Sequence, residues 1–197
     1  MWARILIGGI VGAIIVFFVG FLTHGVLNLQ SRTLANISDD EGFIEQLKTH
    51  QLKHGLYIFP DMPTGADRTP EKMEEASKRF ETGPNGMLLV ARVGAINMGE
   101  MLGKEFLSNL IASLVAAWIV SLMAIDVGFV RRWLAVFMMG VFAWFSLSAS
   151  YGIWYGFPHD FIHEEFICTA LEWGVAGLAI AAIVRRKQAV TTAITSA

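Results

Sequence analysis

Charge, cysteine and proline are all scarce in this chain. Asp, Glu, Lys and Arg together make up 16% of its 197 residues, where soluble domains average about a quarter. That deficit excludes an ordinary water-solvated globule. A single cysteine, Cys168, excludes an internal disulfide; it lies in an apolar run, where a small buried hydrophobe is its plainest role. With a net charge of −2 and its lysines and arginines dispersed, the chain has no basic stripe, so nucleic acid is not expected as a partner. Motifs are missing too: there is no H-E-x-x-H, no ferritin-like Glu-x-x-His pair and no internal repeat of the kind that builds common transporters.

Apolar length is abundant instead. Mean hydropathy is +0.53, concentrated in four runs at about 5–27, 105–125, 133–153 and 166–184. Each matches the ~20 helical residues that cross a hydrocarbon core of ~30 Å. The first run is too long for the apolar region of a signal peptide and is followed by no small-x-small cleavage site, so an uncleaved first span is expected. The expected fold class is an all-α membrane protein with the lipid bilayer as solvent. Four transmembrane helices carry a small extracytoplasmic α+β cap inserted between helices one and two. The domains read as 1–28 (first span), 29–96 (cap), 97–187 (three spans) and 188–197 (cytoplasmic tail).

Charge sets an expected direction. Arg4, Arg131, Arg132, Arg185, Arg186 and Lys187 fall on one side of a four-span protein, while the short link 155–165 carries Asp160, Glu164 and Glu165 and no Lys or Arg. The positive-inside rule then puts both termini in the cytoplasm of a bacterial inner membrane and residues 29–96 outside. Asp126, Gly128, Arg131 and Arg132 form the inner turn, most simply a topology anchor.

Within the cap, Ser38-Asp39-Asp40-Glu41 reads as a helix start with Ser38 as cap and Glu41 at the capping-box position, the helix running to about Lys53. Gly55–Pro60 reads as a strand, Pro70 opens a second helix ending near Glu81, and Gly86–Arg92 reads as a second strand. Phe43, Leu47, Tyr57 and Phe59 are the candidate core. Two strands alone are marginal in water, so the cap is expected to lean on the membrane helices or on a partner.

Several residue groups are candidate sites. In the outer corner before the last span, His159 and His163 lie at i, i+4 beside Asp160 and Glu164, a set that could ligand a divalent metal. The bland alternative is a polar helix start whose acids complement the helix dipole. His24, near the outer end of span one, could match His163 in depth, and such a pair can hold a haem iron, or a lone histidine a chlorophyll-type magnesium. Trp133, Phe137, Phe142, Trp144, Phe145 and Tyr151 are candidate pocket aromatics, although aromatic-rich membrane helices more often face lipid. Glu172 stands near the middle of span four, where an ionised carboxylate costs several kcal/mol. It is a candidate proton relay, ion site or helix contact, with Asn109, Ser113, Ser146 and Ser148 as possible partners, and a protonated, hydrogen-bonded acid as the bland alternative. Glu165, Cys168 and Glu172 share a helix face. Small residues recur at packing intervals: Gly8 and Gly12, then Ser113, Ala117 and Ser121, then Ala170, Gly174 and Gly177. Such faces admit close helix approach, either to other subunits or within the bundle.

The corner Trp154-Tyr155-Gly156-Phe157-Pro158-x-Asp160-Phe161, with the strand Gly55-Leu56-Tyr57-Ile58-Phe59-Pro60 and a last span ending Gly-Leu-Ala-Ile-Ala, resembles a group of uncharacterised bacterial four-span inner-membrane proteins. The resemblance implies the same layout and carries no activity, and it lends nothing to the His159/His163 pair. The expected function is a non-catalytic accessory or scaffold subunit of a larger membrane complex, respiratory or photosynthetic, with other membrane subunits as partners and no cofactor. One alternative is a cofactor-binding subunit (haem, chlorophyll-type pigment or metal) using the outer histidines. The other is a small proton-linked transporter or enzyme built on Glu172.

Overall fold

The computed structural model describes residues 1–91 and 95–185; Arg92, Arg186, Lys187 and the tail 188–197 lie outside the described residues. Four helices are long and apolar enough to cross a membrane. The first is a helical run, Trp2–Thr33, comprising α1 (Trp2–Gly20), a π-helical turn Phe21–Val26 and a 3-10 turn Ser31–Thr33. The second is α4 (Met98–Ser121). The third joins α5 (Phe129–Ala143), a π-helical turn Trp144–Ser148 and α6 (Ala149–Tyr155), and the fourth is α7 (His159–Ile183). Between the first two lie α2 (Asp40–Thr49), β1 (Gly55–Phe59), α3 (Pro70–Thr82) and β2 (Gly86–Val90). Every expected element is present, each long helix extending several residues past its apolar run because polar turns continue it.

The chain divides into two compact units. One comprises 1–34, 97–150 and the described residues from 158 on; the other comprises 35–96 with 151–157. In the first, α1 packs against both α4 and α7, and α5 packs along α7. At the end that carries both chain termini the four helices close on a core of Ile5, Ala116, Ala117, Val120, Val136, Ile180 and Val184.

Glycines set the spacing here. A Cβ on Gly8 would stand 2.6 Å from a Val184 methyl, one on Gly12 2.8 Å from Ile180, and one on Gly177 3.2 Å from Trp133. Ser113 and Ala117 are wholly buried. These small faces are thus filled by neighbours within the unit, as close backbone approach requires. Gly174 meets only the Phe137 ring, at 3.7 Å. Two glycines outside the expected stripes approach closer still: Gly9 against Leu114 and Gly140 against Trp173.

Polar side chains at this end satisfy helix termini. Arg132 Nε donates to the Ala181 carbonyl at 3.1 Å, one of the four carbonyls that the end of α7 leaves without an intrahelical partner. Arg4 donates to the Arg185 carbonyl. Arg132, expected as a topology anchor, therefore also caps a helix. Further along, Trp133 Nε1 donates to the Gly174 carbonyl at 2.9 Å, and Trp144 Nε1 to that of Ile162 at 3.1 Å.

In the second unit, β1 and β2 pair antiparallel, with Gly55 opposite Val90 and Phe59 opposite Gly86. Asp39, not Ser38, caps α2: its carboxylate accepts from the Gly42 N–H at 3.1 Å, the third-turn donor that an N-cap side chain reaches. Thr69 caps α3 through the Lys72 N–H, with Pro70 in the first turn. Glu71, beside that cap, has its carboxyl held below the usual range by its own backbone N–H and by the Thr69 hydroxyl. The expected core differs. Phe43, Leu47 and Tyr57 are half-buried and Phe59 is 45% exposed, while Ala76 is the one fully buried hydrophobic side chain among this unit's described residues. Gly156 adopts φ +67°, a left-handed turn that glycine enters without strain, and α7 begins three residues later.

Candidate functional site

At the end of the four-helix unit away from the closed core, α1, α4 and α7 diverge around a cavity of about 790 Å³. Its polar wall is His24 and Gln30 from the first helical run, Glu105 and Asn109 from α4, and Glu165 and Glu172 from α7. The apolar wall includes Phe17, Phe21, Met98 and Leu102. Phe17 is fixed edge-on to Phe106 with ring centroids 5.7 Å apart, which ties the aromatic wall to α4.

The central contact is His24 Nε2 to Glu172 Oε1 at 3.7 Å, within ion-pair reach and longer than a hydrogen bond. The imidazole is 41% exposed and the carboxylate 18%, so one partner opens to the cavity and the other sits mostly in the helix packing. Glu172 is thirteen residues into α7 by its numbering, about 20 Å along the axis at 1.5 Å per residue. Gly20 makes room for it, since a Cβ there would stand 3.1 Å from Glu172 Oε1.

Local backbone aims the histidine. Residues Phe21–Val26 form a π-helical turn, which carries one residue more per turn than the α-helix and is a frequent feature of functional sites. Widening the turn loosens the regular ladder, and the Thr23 hydroxyl donates to the Val19 and Gly20 carbonyls, each at 3.1 Å. Thr23 is itself buried beside Cys168. Without the extra residue, His24 would point off the α7-facing side.

Two further contacts join the end of the first helical run to the head of α7. Gln30 Nε2 donates to Glu165 Oε2 at 2.5 Å. Arg32 donates to Glu164 Oε1 from both Nε, at 3.2 Å, and its terminal nitrogen. Glu164 is 8% exposed, and its other oxygen, Oε2, has no hydrogen-bond partner among the described residues. Gln30, Arg32 and Glu105 were not singled out from sequence; Gln30 and Arg32 fall just past the end of the apolar run, where chain reads as linker.

The outer-corner residues separate. His159, Asp160 and His163 are exposed, and Glu164 is turned in against Arg32. No group of three or more His, Cys, Asp or Glu among the described residues is spaced to hold a metal ion. His163 is not among the residues that line the cavity, so His24 faces Glu172 and not a second histidine. Of the span-three aromatics, Phe142 and Phe145 are 73% and 63% exposed, and the rings at the cavity are Phe17 and Phe21 instead. Of the partners considered for Glu172, Asn109 shares its cavity, whereas Ser113 is buried with no hydrogen-bond partner among the described residues. Glu165 joins Glu172 in the cavity, as their shared face implies.

No protein-family model, curated protein or solved structure matches this chain. The chemistry must therefore be read from the cavity itself. An imidazole and a carboxylate in ion-pair reach, partly withdrawn from water, can pass a proton between them or to a bound group with little change in the net charge of the pair.

Proposed function

We propose that this is a multi-pass protein of a bacterial cytoplasmic membrane, with both termini inside and residues 29–96 outside, that works as a small proton-linked carrier. Glu172 exchanges the proton, and His24 is its partner across the cavity. The observation that carries this reading is the His24–Glu172 pair at 3.7 Å on the wall of a cavity among span-length helices. An intramembrane carboxylate is costly and tends to be functional. The groups that bear on its protonation are His24 on the first helical run, Glu105 on α4, and Glu165 and Cys168 on α7.

Infrared difference spectra of the reconstituted protein, recorded between neutral and acidic pH, test the proposal. A protonated-carboxyl band should appear in the wild type, vanish in Glu172→Gln and shift in His24→Ala. An identical band in wild type and Glu172→Gln would remove Glu172 from proton exchange and end the reading.

One observation favours a second reading, an accessory subunit of a larger membrane complex, related through the Y-G-F-P corner to the bacterial four-span proteins it resembles. One face of the two-stranded sheet bears Leu56 and Leu89 opposite each other, with Ile58 beside them. These side chains are 57%, 64% and 56% exposed, more apolar surface than a free-standing sheet carries comfortably. Native electrophoresis from mild detergent is expected to show a larger assembly that Ile58→Glu dissociates. Migration as a lone 21.7 kDa chain at every detergent strength would remove this reading.

A further inference from the structure

The cavity wall is unbalanced in charge. Glu105, Glu165 and Glu172 contribute three carboxylates, and His24 is the only basic side chain among its lining residues. The nearby cations are engaged elsewhere: Arg32 with Glu164 and Lys104 with Glu100. Gln30 answers Glu165 with a neutral amide. Even with His24 charged, the wall retains excess negative charge, and carboxylates withdrawn from water require a proton or a cation nearby. A bare divalent ion lacks its donor set, because no three ligating side chains are suitably spaced among the described residues. The opposite wall is apolar and aromatic, with Phe17 and Phe21 presenting rings, and ring faces attract organic cations. At about 790 Å³ the space falls in the ordinary range of small-molecule sites.

We infer that the cavity between α1, α4 and α7 binds an amphiphilic organic cation, its charged centre against Glu172 and Glu105 and its apolar body against Phe17 and Phe21. The inference rests on the proton-linked reading and gives its cargo a chemical class. A cation arriving at Glu172 displaces the proton held there, so one proton leaves to solution for each cation bound and the charge of the site is conserved. The same chemistry is available from a soluble cation or from the ammonium headgroup of a lipid.

Tetraphenylphosphonium, titrated into the full-length protein in phosphatidylglycerol nanodiscs, is a direct probe. The expected result is saturable binding, weakened about tenfold or more in Glu172→Gln and several-fold in Glu105→Gln, the scale of losing a charge contact in a partly buried site. Glu105 is exposed, so its variant keeps the test valid should Glu172→Gln misfold. Neutral triphenylphosphine oxide should not compete. Competition from phosphatidylethanolamine added to the bilayer would identify a lipid amine as the occupant, and its absence a soluble cation. Equal binding by wild type and both variants, or equal binding of the neutral compound, would overturn the cation class. Weakly buffered samples separate the two claims. Binding with no acidification would retain the cation and end the proton link, whereas an intact Glu172 infrared band without tetraphenylphosphonium binding would do the reverse.

Discussion

Gly9→Ala should destabilise the protein by about 2–3 kcal/mol, the upper range for an added methyl in a well-packed interior. A Cβ at Gly9 would lie 2.5 Å from Leu114 Cδ2 and 3.0 Å from Leu114 Cα. A side-chain tip can rotate away, but a Cα moves only with its helix, so α1 and α4 must part. Gly103→Ala, on α4 with nothing within 4 Å of its added Cβ, is the matched control. It should be neutral or stabilising by up to about 1 kcal/mol through helix propensity. Thermal or detergent-driven unfolding of the two variants side by side reads the difference, and equal midpoints would mean that α1 and α4 are not in contact at Gly9.

Arg32→Ala should cost about 1–3 kcal/mol, more than Glu164→Gln. The asymmetry follows from burial. Glu164 is 11% exposed at its side chain and Arg32 58%, so removing the arginine strands a buried carboxylate while removing the carboxylate releases a cation to water. The exposure of Arg32 screens part of the interaction and keeps the figure below that of a fully buried pair. Glu164→Gln in the Arg32→Ala background should recover much of the loss. A double-mutant cycle measures this; independent, additive effects would show that the two side chains do not interact.

The four long helices were legible because length and apolarity alone mark them, and α3 because Thr69 and Pro70 form a helix start that depends only on local chain. The cap of α2 slipped by one residue, from Ser38 to Asp39, since both side chains suit the position and only geometry chooses between them. Gly8 and Gly12 stood out by spacing, yet the tighter approaches at Gly9 and Gly140 belong to no stripe and depend on which neighbour arrives. His24 and Glu172 were each conspicuous, one as a lone histidine and the other as a misplaced acid. Their pairing was not, because regular α-helical phase matched His24 in depth to His163. Gln30 and Arg32 escaped notice for a related reason: the helical run continues to Thr33 through turns that apolarity does not report.

The π-helical turn at Phe21–Val26 also limits how the chain can vary in length. It stores one residue beyond the α-helical count, so a single deletion within it restores a regular helix and rotates all that follows by about 100°. Such a deletion would turn His24 from Glu172 and carry Gln30 and Arg32 off their partners on α7 in one step. Insertions would do the same in the opposite sense. Three cross-helix contacts thus share a single reading frame in space, and this short stretch is where the protein should tolerate substitution far better than indels.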